Sequence, residues 1–206
     1  MGWLQRFVSS SIGKKQVMGV TGLMLCVFLL LHLAGNLLLF CNTPGPFDSY
    51  ADAMRSNPLL IPMELGLFAV FMVHIGLGFK TRFENKSARP QDYAVQHPAG
   101  DLTLGSVTMP YTGLATLAFL IYHLYSFRVK WDGESSLYAM VHSHFADSGL
   151  NVIIYVAAML ALGLHLSHGF QSAFQSLGLY HKKYRPLIRK VGFVYAWGVV
   201  CLGFSS

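Results

Sequence analysis

From Val17 to Cys41 the chain runs about 25 residues without a charged side chain. A stretch so long and apolar reads as a membrane-spanning helix, because a helix satisfies its own backbone hydrogen bonds in lipid. Basic residues precede it, as in a secretory signal. The run is too long for such a signal and lacks a small-residue cleavage site, so it is expected to stay as a span. Further apolar runs give expected spans at about 17–41, 59–79, 111–127, 150–170 and 187–204. The chain therefore reads as one all-α domain over residues 1–206, a polytopic bundle of five transmembrane helices.

The composition points the same way, with 53% apolar and 12% charged residues; a soluble domain carries about a quarter charged. The formal charge of +6 does not argue for nucleic acid, because the basic residues sit between apolar runs, where they set topology. Cys26, Cys41 and Cys201 form no CxxC or CxxCH pattern. Covalent haem attachment, iron–sulfur ligation and a disulfide framework are thus without support in this chain.

Between the spans, Trp3, Leu4, Phe7 and Ile12 alternate with Arg6, Lys14 and Lys15, which suits an interfacial segment over residues 1–16. Pro44, Gly45 and Pro46 are expected to break the first helix, with a short helix around Tyr50–Arg55. Pro90, Pro98, Gly100 and Gly105 punctuate the stretch 80–110, which is expected to be irregular. Residues 128–149 read as a loop holding Asp132, Glu134 and Asp147 against Arg128 and Lys130. The fourth helix is expected to continue as an amphipathic segment to Leu179. Trp3, Trp131 and Trp197 read as interfacial or lipid-facing anchors. His142 and His144 read as solvated residues of the outer loop, with an outer quinone site as the alternative, and His97 and His181 as loop residues.

Lysine and arginine fall unevenly on the two sides. The N-terminus, 80–110 and 180–190 together hold 12, against 3 for Arg55, Arg128 and Lys130. The positive-inside rule then puts the N-terminus in the cytoplasm and, with five spans, the C-terminus outside. The implied location is a bacterial inner membrane.

Ionisable groups inside a bilayer are costly and mark function. Four of the runs carry a histidine a few residues from the middle, namely His32, His74, His123 and His165. With alternating direction, His32 and His123 share an outer level and His74 and His165 an inner one. An offset of about four residues is about 6 Å at 1.5 Å per residue, so the levels lie roughly 12 Å apart. Axial ligands to a haem must approach from opposite faces, hence from different helices. His32 with His123, and His74 with His165, satisfy this for two haem b groups, and paired imidazoles leave no open iron position. His168, three residues after His165 and on nearly the same face, competes for the inner site. The matching offset favours His165, leaving His168 a propionate contact or a packing role. Ser9, Ser10, Lys14, Lys15 and Lys182 are further candidates for inner-haem propionates. Glu64 is the only acid well inside an apolar run and enters from the outer side. A carboxyl there suits quinone proton transfer, with a helix N-terminal acid beside Pro62 as the alternative.

With these residues in view, the chain resembles the diheme cytochrome b subunit of succinate:quinone oxidoreductases and quinol:fumarate reductases, of the single-subunit, five-helix type. The histidine spacings of 42, 49 and 42 carry the resemblance, with SIGKKQVMGVTG, HLAGN, ENKSARPQDY and HLSHGFQSAFQSLG. It covers essentially the whole chain. It implies a membrane anchor for a cytoplasmic flavoprotein subunit with FAD and an iron–sulfur subunit. Electrons would pass between those clusters and menaquinone or another quinone through two b haems. The dicarboxylate site would lie in the flavoprotein, and a dimer of the whole complex is one expected assembly. In related fumarate reductases an acid in the region of Glu64 serves the quinol. Some relatives carry a glutamate two residues before the fourth-span ligand, assigned to a proton path; here Gly163 stands there, so that path is absent or built differently.

Two other functions compete. A cytochrome b anchor of another quinone-linked dehydrogenase, of hydrogenase or formate dehydrogenase type, would keep the paired histidines. A proton-coupled transporter would want several buried acids, and this chain offers only Glu64.

Overall fold

The computed structural model describes residues 2–88, 104–179 and 181–205. Among them every regular element is helical, and five helices are long and apolar enough to cross a membrane. The elements are α1 (Trp3–Ser9), α2 (Ser11–Asn36), α3 (Pro44–Arg55), α4 (Leu60–Ser87), α5 (Leu104–Leu124), α6 (Leu137–Ala146), α7 (Gly149–Ser176) and α8 (Arg185–Ser205). A 3₁₀ turn, Leu37–Cys41, prolongs α2, and a π turn, Tyr125–Val129, prolongs α5.

The helices outrun the apolar stretches, for reasons local to their ends. Ser10 turns extended and its side chain accepts from the Gly13 amide, so α2 starts at Ser11 rather than Val17. The first helix ends at Cys41, before Pro44 as expected, and Pro44 and Pro46 also begin α3: the missing proline N–H costs nothing in a first turn. The stretch 80–110 was expected to be irregular throughout. Instead α4 continues to Ser87 and α5 begins at Leu104, with Pro110 inside it; residues 89–103, with Pro90, His97, Pro98 and Gly100, lie outside the described residues. Residues 128–149 also hold more order than a loop. Ser136 caps α6, and Asp48 of α3 accepts from the Ser136 hydroxyl at 2.6 Å and the Tyr138 amide at 2.9 Å. The fourth transmembrane helix ends at Ser176, with Gly178 at φ +76° just beyond.

Helix α7 packs closely on α5, α8 and α2, whereas α4 packs closely on α2. The core lies where α2, α7 and α8 meet, around Cys26, Leu162, Leu166, Ala196 and Val199. Tyr195 of α8 donates to the Cys26 carbonyl at 2.8 Å. Close approach there needs small residues. A Cβ on Gly163 would stand 2.7 Å from Cγ2 of Val200, with the Trp197 ring 3.6 Å away. Trp197 thus packs against α7 and the core rather than serving only as a lipid-facing anchor. No residue of α4 is buried; Leu65, Phe68 and Met72 are exposed on it, as suits a helix facing lipid.

Candidate functional site: four histidines on four helices

The four intramembrane histidines sit on α2 (His32), α4 (His74), α5 (His123) and α7 (His165). Close packing joins α4 to α2, α2 to α7 and α7 to α5; α4 and α5 are not closely packed among the described residues. The His32 and His123 rings nevertheless meet between α2 and α5, with centroids 5.7 Å apart and planes at 89°. At that separation one metal ion could be reached by a nitrogen of each, at bonds of about 2 Å. His165 lies within electrostatic reach of both His74 and His168. Among the described residues no three His, Cys, Asp or Glu side chains converge as a metal-ion site; the donor sets here are pairs.

Hydrogen bonds orient the rings differently. His74 places Nδ1 3.2 Å from the carbonyl of Met18 and 3.3 Å from Oγ1 of Thr21. A carbonyl only accepts, so the bond to Met18 makes Nδ1 the protonated nitrogen and leaves the Nε2 lone pair free for a metal. Nδ1 of His123 lies 3.2 Å from the hydroxyl of Tyr155. Nε2 of His32 is 3.5 Å from the Asn36 amide, a long contact. Nδ1 of His165 is buried with no hydrogen-bond partner.

Glycines face the second pair. A Cβ on Gly22 would come within 3.1 Å of Cε1 of His74, and one on Gly113 within 3.2 Å of Cε1 of His165. Each glycine lets the imidazole of a neighbouring helix lie against its backbone. The facing His32 and His123 rings and the unbonded Nε2 of His74 are of the donor type that ligates a haem iron. The sequence pointed to the histidines but not to their neighbours. Tyr155 is an aromatic with a polar tip in an apolar run, which is the signal that could have singled it out.

Around His123 the helices assemble Phe119, Phe127 and Tyr155, with centroids 5.7, 5.4 and 6.1 Å from it. His144, read as solvated, belongs to this cluster instead. Its ring packs 4.9 Å from Phe127 and 5.7 Å from Tyr155, and its Nε2 is buried without a partner. The reason is α6, which packs on α3 and α7 and brings His144 against Phe127 and Tyr155. His142, one turn edge away, is exposed as expected.

Glu64 does not stand alone. Arg128, in the π turn, donates to it twice, through Nε at 3.0 Å and Nη2 at 3.1 Å. Both side chains remain partly exposed. At the other end, Lys14 is buried and paired with Glu84 of α4. Ser9 donates to the Gln5 carbonyl, and Ser10 is the α2 cap. Lys15 and Lys182 are exposed.

No protein-family model matches the chain, and neither a curated protein nor a solved structure matches it.

Proposed function

We propose that the chain is the cytochrome b membrane anchor of a succinate:quinone oxidoreductase or quinol:fumarate reductase. It would carry electrons between a cytoplasmic iron–sulfur subunit and membrane quinone. The observation that carries this reading is the meeting of His32 and His123, one imidazole from each of two helices that are not closely packed among the described residues, inside an apolar bundle. The family spacing of all four histidines supports it.

His32 and His123 would hold one haem b, and His74 and His165 the other, with His168 one turn beyond His165. Bound between two imidazoles, haem b supplies a one-electron carrier without an open position for oxygen chemistry. The Met18 carbonyl fixes the tautomer of His74, and Tyr155 orients His123. Phe119, Phe127 and Tyr155 keep water from the second ring. Glu64 is the group placed to take or give the quinone proton, and Arg128 holds its carboxylate in one orientation. The uneven charge supports a cytoplasmic N-terminus; the family resemblance would put the chain in a bacterial inner membrane, with flavoprotein and iron–sulfur partners on that side.

The deciding experiment is the haem b to polypeptide ratio of the purified chain, with a redox titration in the visible. Two haems titrating apart are expected. One would reopen the choice between His165 and His168, and none would favour the proton-coupled transporter.

A further inference from the structure

The four histidines and Glu64 leave unused the end of the bundle that carries the N-terminus. There a cavity of about 300 Å³ opens between the first turns of α2 and the last turns of α4. Ser11, Lys14, Lys15, Thr81, Glu84 and Asn85 line it. Lys14 and Glu84 neutralise each other across the two helices, with the Lys14 side chain 7% exposed. Lys15 is exposed and makes no ion pair among the described residues. The cavity therefore offers one uncompensated cation beside neutral hydroxyl and amide groups. Lys80, Arg82 and Lys86 follow on the same end of α4 and add positive charge around it.

The surroundings say what kind of anion belongs there. Apolar side chains flank the polar notch: Ile12 is 70% exposed, Phe83 67% and Phe79 47%. Trp3, at 78%, stands on the short α1 beside them. A polar, basic notch whose rim is apolar lies at headgroup depth, with acyl chains free to run along the exposed face of α4. Basic pockets between transmembrane helices on this side are a recurring means of holding anionic headgroups.

We propose that this cavity binds the phosphate of an anionic phospholipid, which staples α4 to α2. A staple is needed there, because α4 has no buried residue and packs closely on α2. Lys15 supplies the charge, and Ser11 and Asn85 the neutral donors. The paired Lys14 and Glu84 form the cavity wall. The proposal does not depend on the haem reading.

The test uses the full chain in detergent, with thermal unfolding followed on adding phosphatidylglycerol, phosphatidylcholine or inorganic phosphate, and lipid retention followed by native mass spectrometry. Phosphatidylglycerol should raise the midpoint and stay bound, whereas phosphatidylcholine should do neither. Lys15→Gln should weaken phosphatidylglycerol binding about fivefold, the worth of one basic residue near an anionic surface, and Lys15→Arg should restore it. Equal protection by both lipids, or undiminished binding in Lys15→Gln, would overturn the proposal. Protection by inorganic phosphate as strong as by the lipid would overturn the lipid assignment in favour of a free anion. Lys15→Gln that loses haem while binding lipid unchanged would give the cavity to a haem propionate and overturn it as well.

Discussion

Glu64 and Arg128 join α4 to α5 through two hydrogen bonds of 3.0 and 3.1 Å, between helices that are otherwise not closely packed among the described residues. The pair is partly exposed, so its contribution to stability is small, about 1 kcal/mol or less. Glu64→Gln is expected to leave the thermal midpoint nearly unchanged and to spare both haems. It should slow quinol turnover by about a hundredfold, as loss of a positioned acid–base group does. Steady-state assays with a quinol, beside absorption spectra, measure both. Normal turnover would remove Glu64 from the proton step.

The histidine pairs separate by replacement. His74→Ala is expected to halve the haem content and remove one of the two redox transitions. His168→Ala should keep both. Pyridine haemochrome assay against protein concentration decides it, and two haems surviving without His74 would sink the pairing.

At Gly163 the expected outcome is steric. Gly163→Ala puts a methyl 2.7 Å from Val200 and should cost about 1–3 kcal/mol by overpacking. Val200→Ala in the same chain should recover much of that loss, read as thermal midpoint in detergent. A glutamate at 163 would have to displace α8. The packing around position 163 thus leaves no room for a larger side chain.

Lys14 and Glu84 should respond unequally. The Lys14 side chain is 7% exposed and that of Glu84 44%. Removing Glu84 strands a buried ammonium; removing Lys14 leaves a carboxylate that water can reach. Glu84→Ala is expected to destabilise by about 2 kcal/mol, short of a fully buried pair because of that exposure. Lys14→Met should cost less. Equal losses would show that the burial of Lys14 does not govern the pair.

His144 gives a pH dependence outside the membrane spans. Burial, and then the nearby Lys130, hold it below its ordinary value of 6.5; the rings of Tyr122, Phe127, Phe145 and Tyr155 surround it. The unfolded chain therefore takes up a proton there more readily than the folded one. Its stabilising effect is complete above pH 6.5 and falls as pH drops toward the lowered value. Amide exchange of α6 should quicken over that range, and His144→Phe should flatten the response.

The amino-acid sequence carries the five long helices openly, because each apolar run exceeds what a soluble fold would expose. Helix ends are harder to read. Where α2 begins depends on one serine cap, and where α4 ends depends on charged residues that leave the membrane while still helical. The prolines at 44 and 46 have opposite meanings in the middle and at the start of a helix, and only the chain path chooses between them. Counting residues from the middle of each run puts His32 and His123 at one level. Counting cannot reach Tyr155 against His123, or Arg128 against Glu64 at a separation of 64 residues, because those contacts depend on helix rotation. His144 is hidden for the same reason, its surroundings being set by how α6 packs on α3 and α7.

The uneven way α7 and α4 are held has a mechanical consequence. Helix α7 is clasped by three long neighbours, whereas α4 leans on α2. Drawn out of a bilayer from its Ser87 end, α4 should peel away at the lowest force and carry His74 with it. His32, His123 and His165 would remain in the clasped part. Three of the four histidines therefore sit on α7 or on helices packed against it, whereas His74 depends on the grip of α2 on α4 and on the exposed Glu64–Arg128 pair.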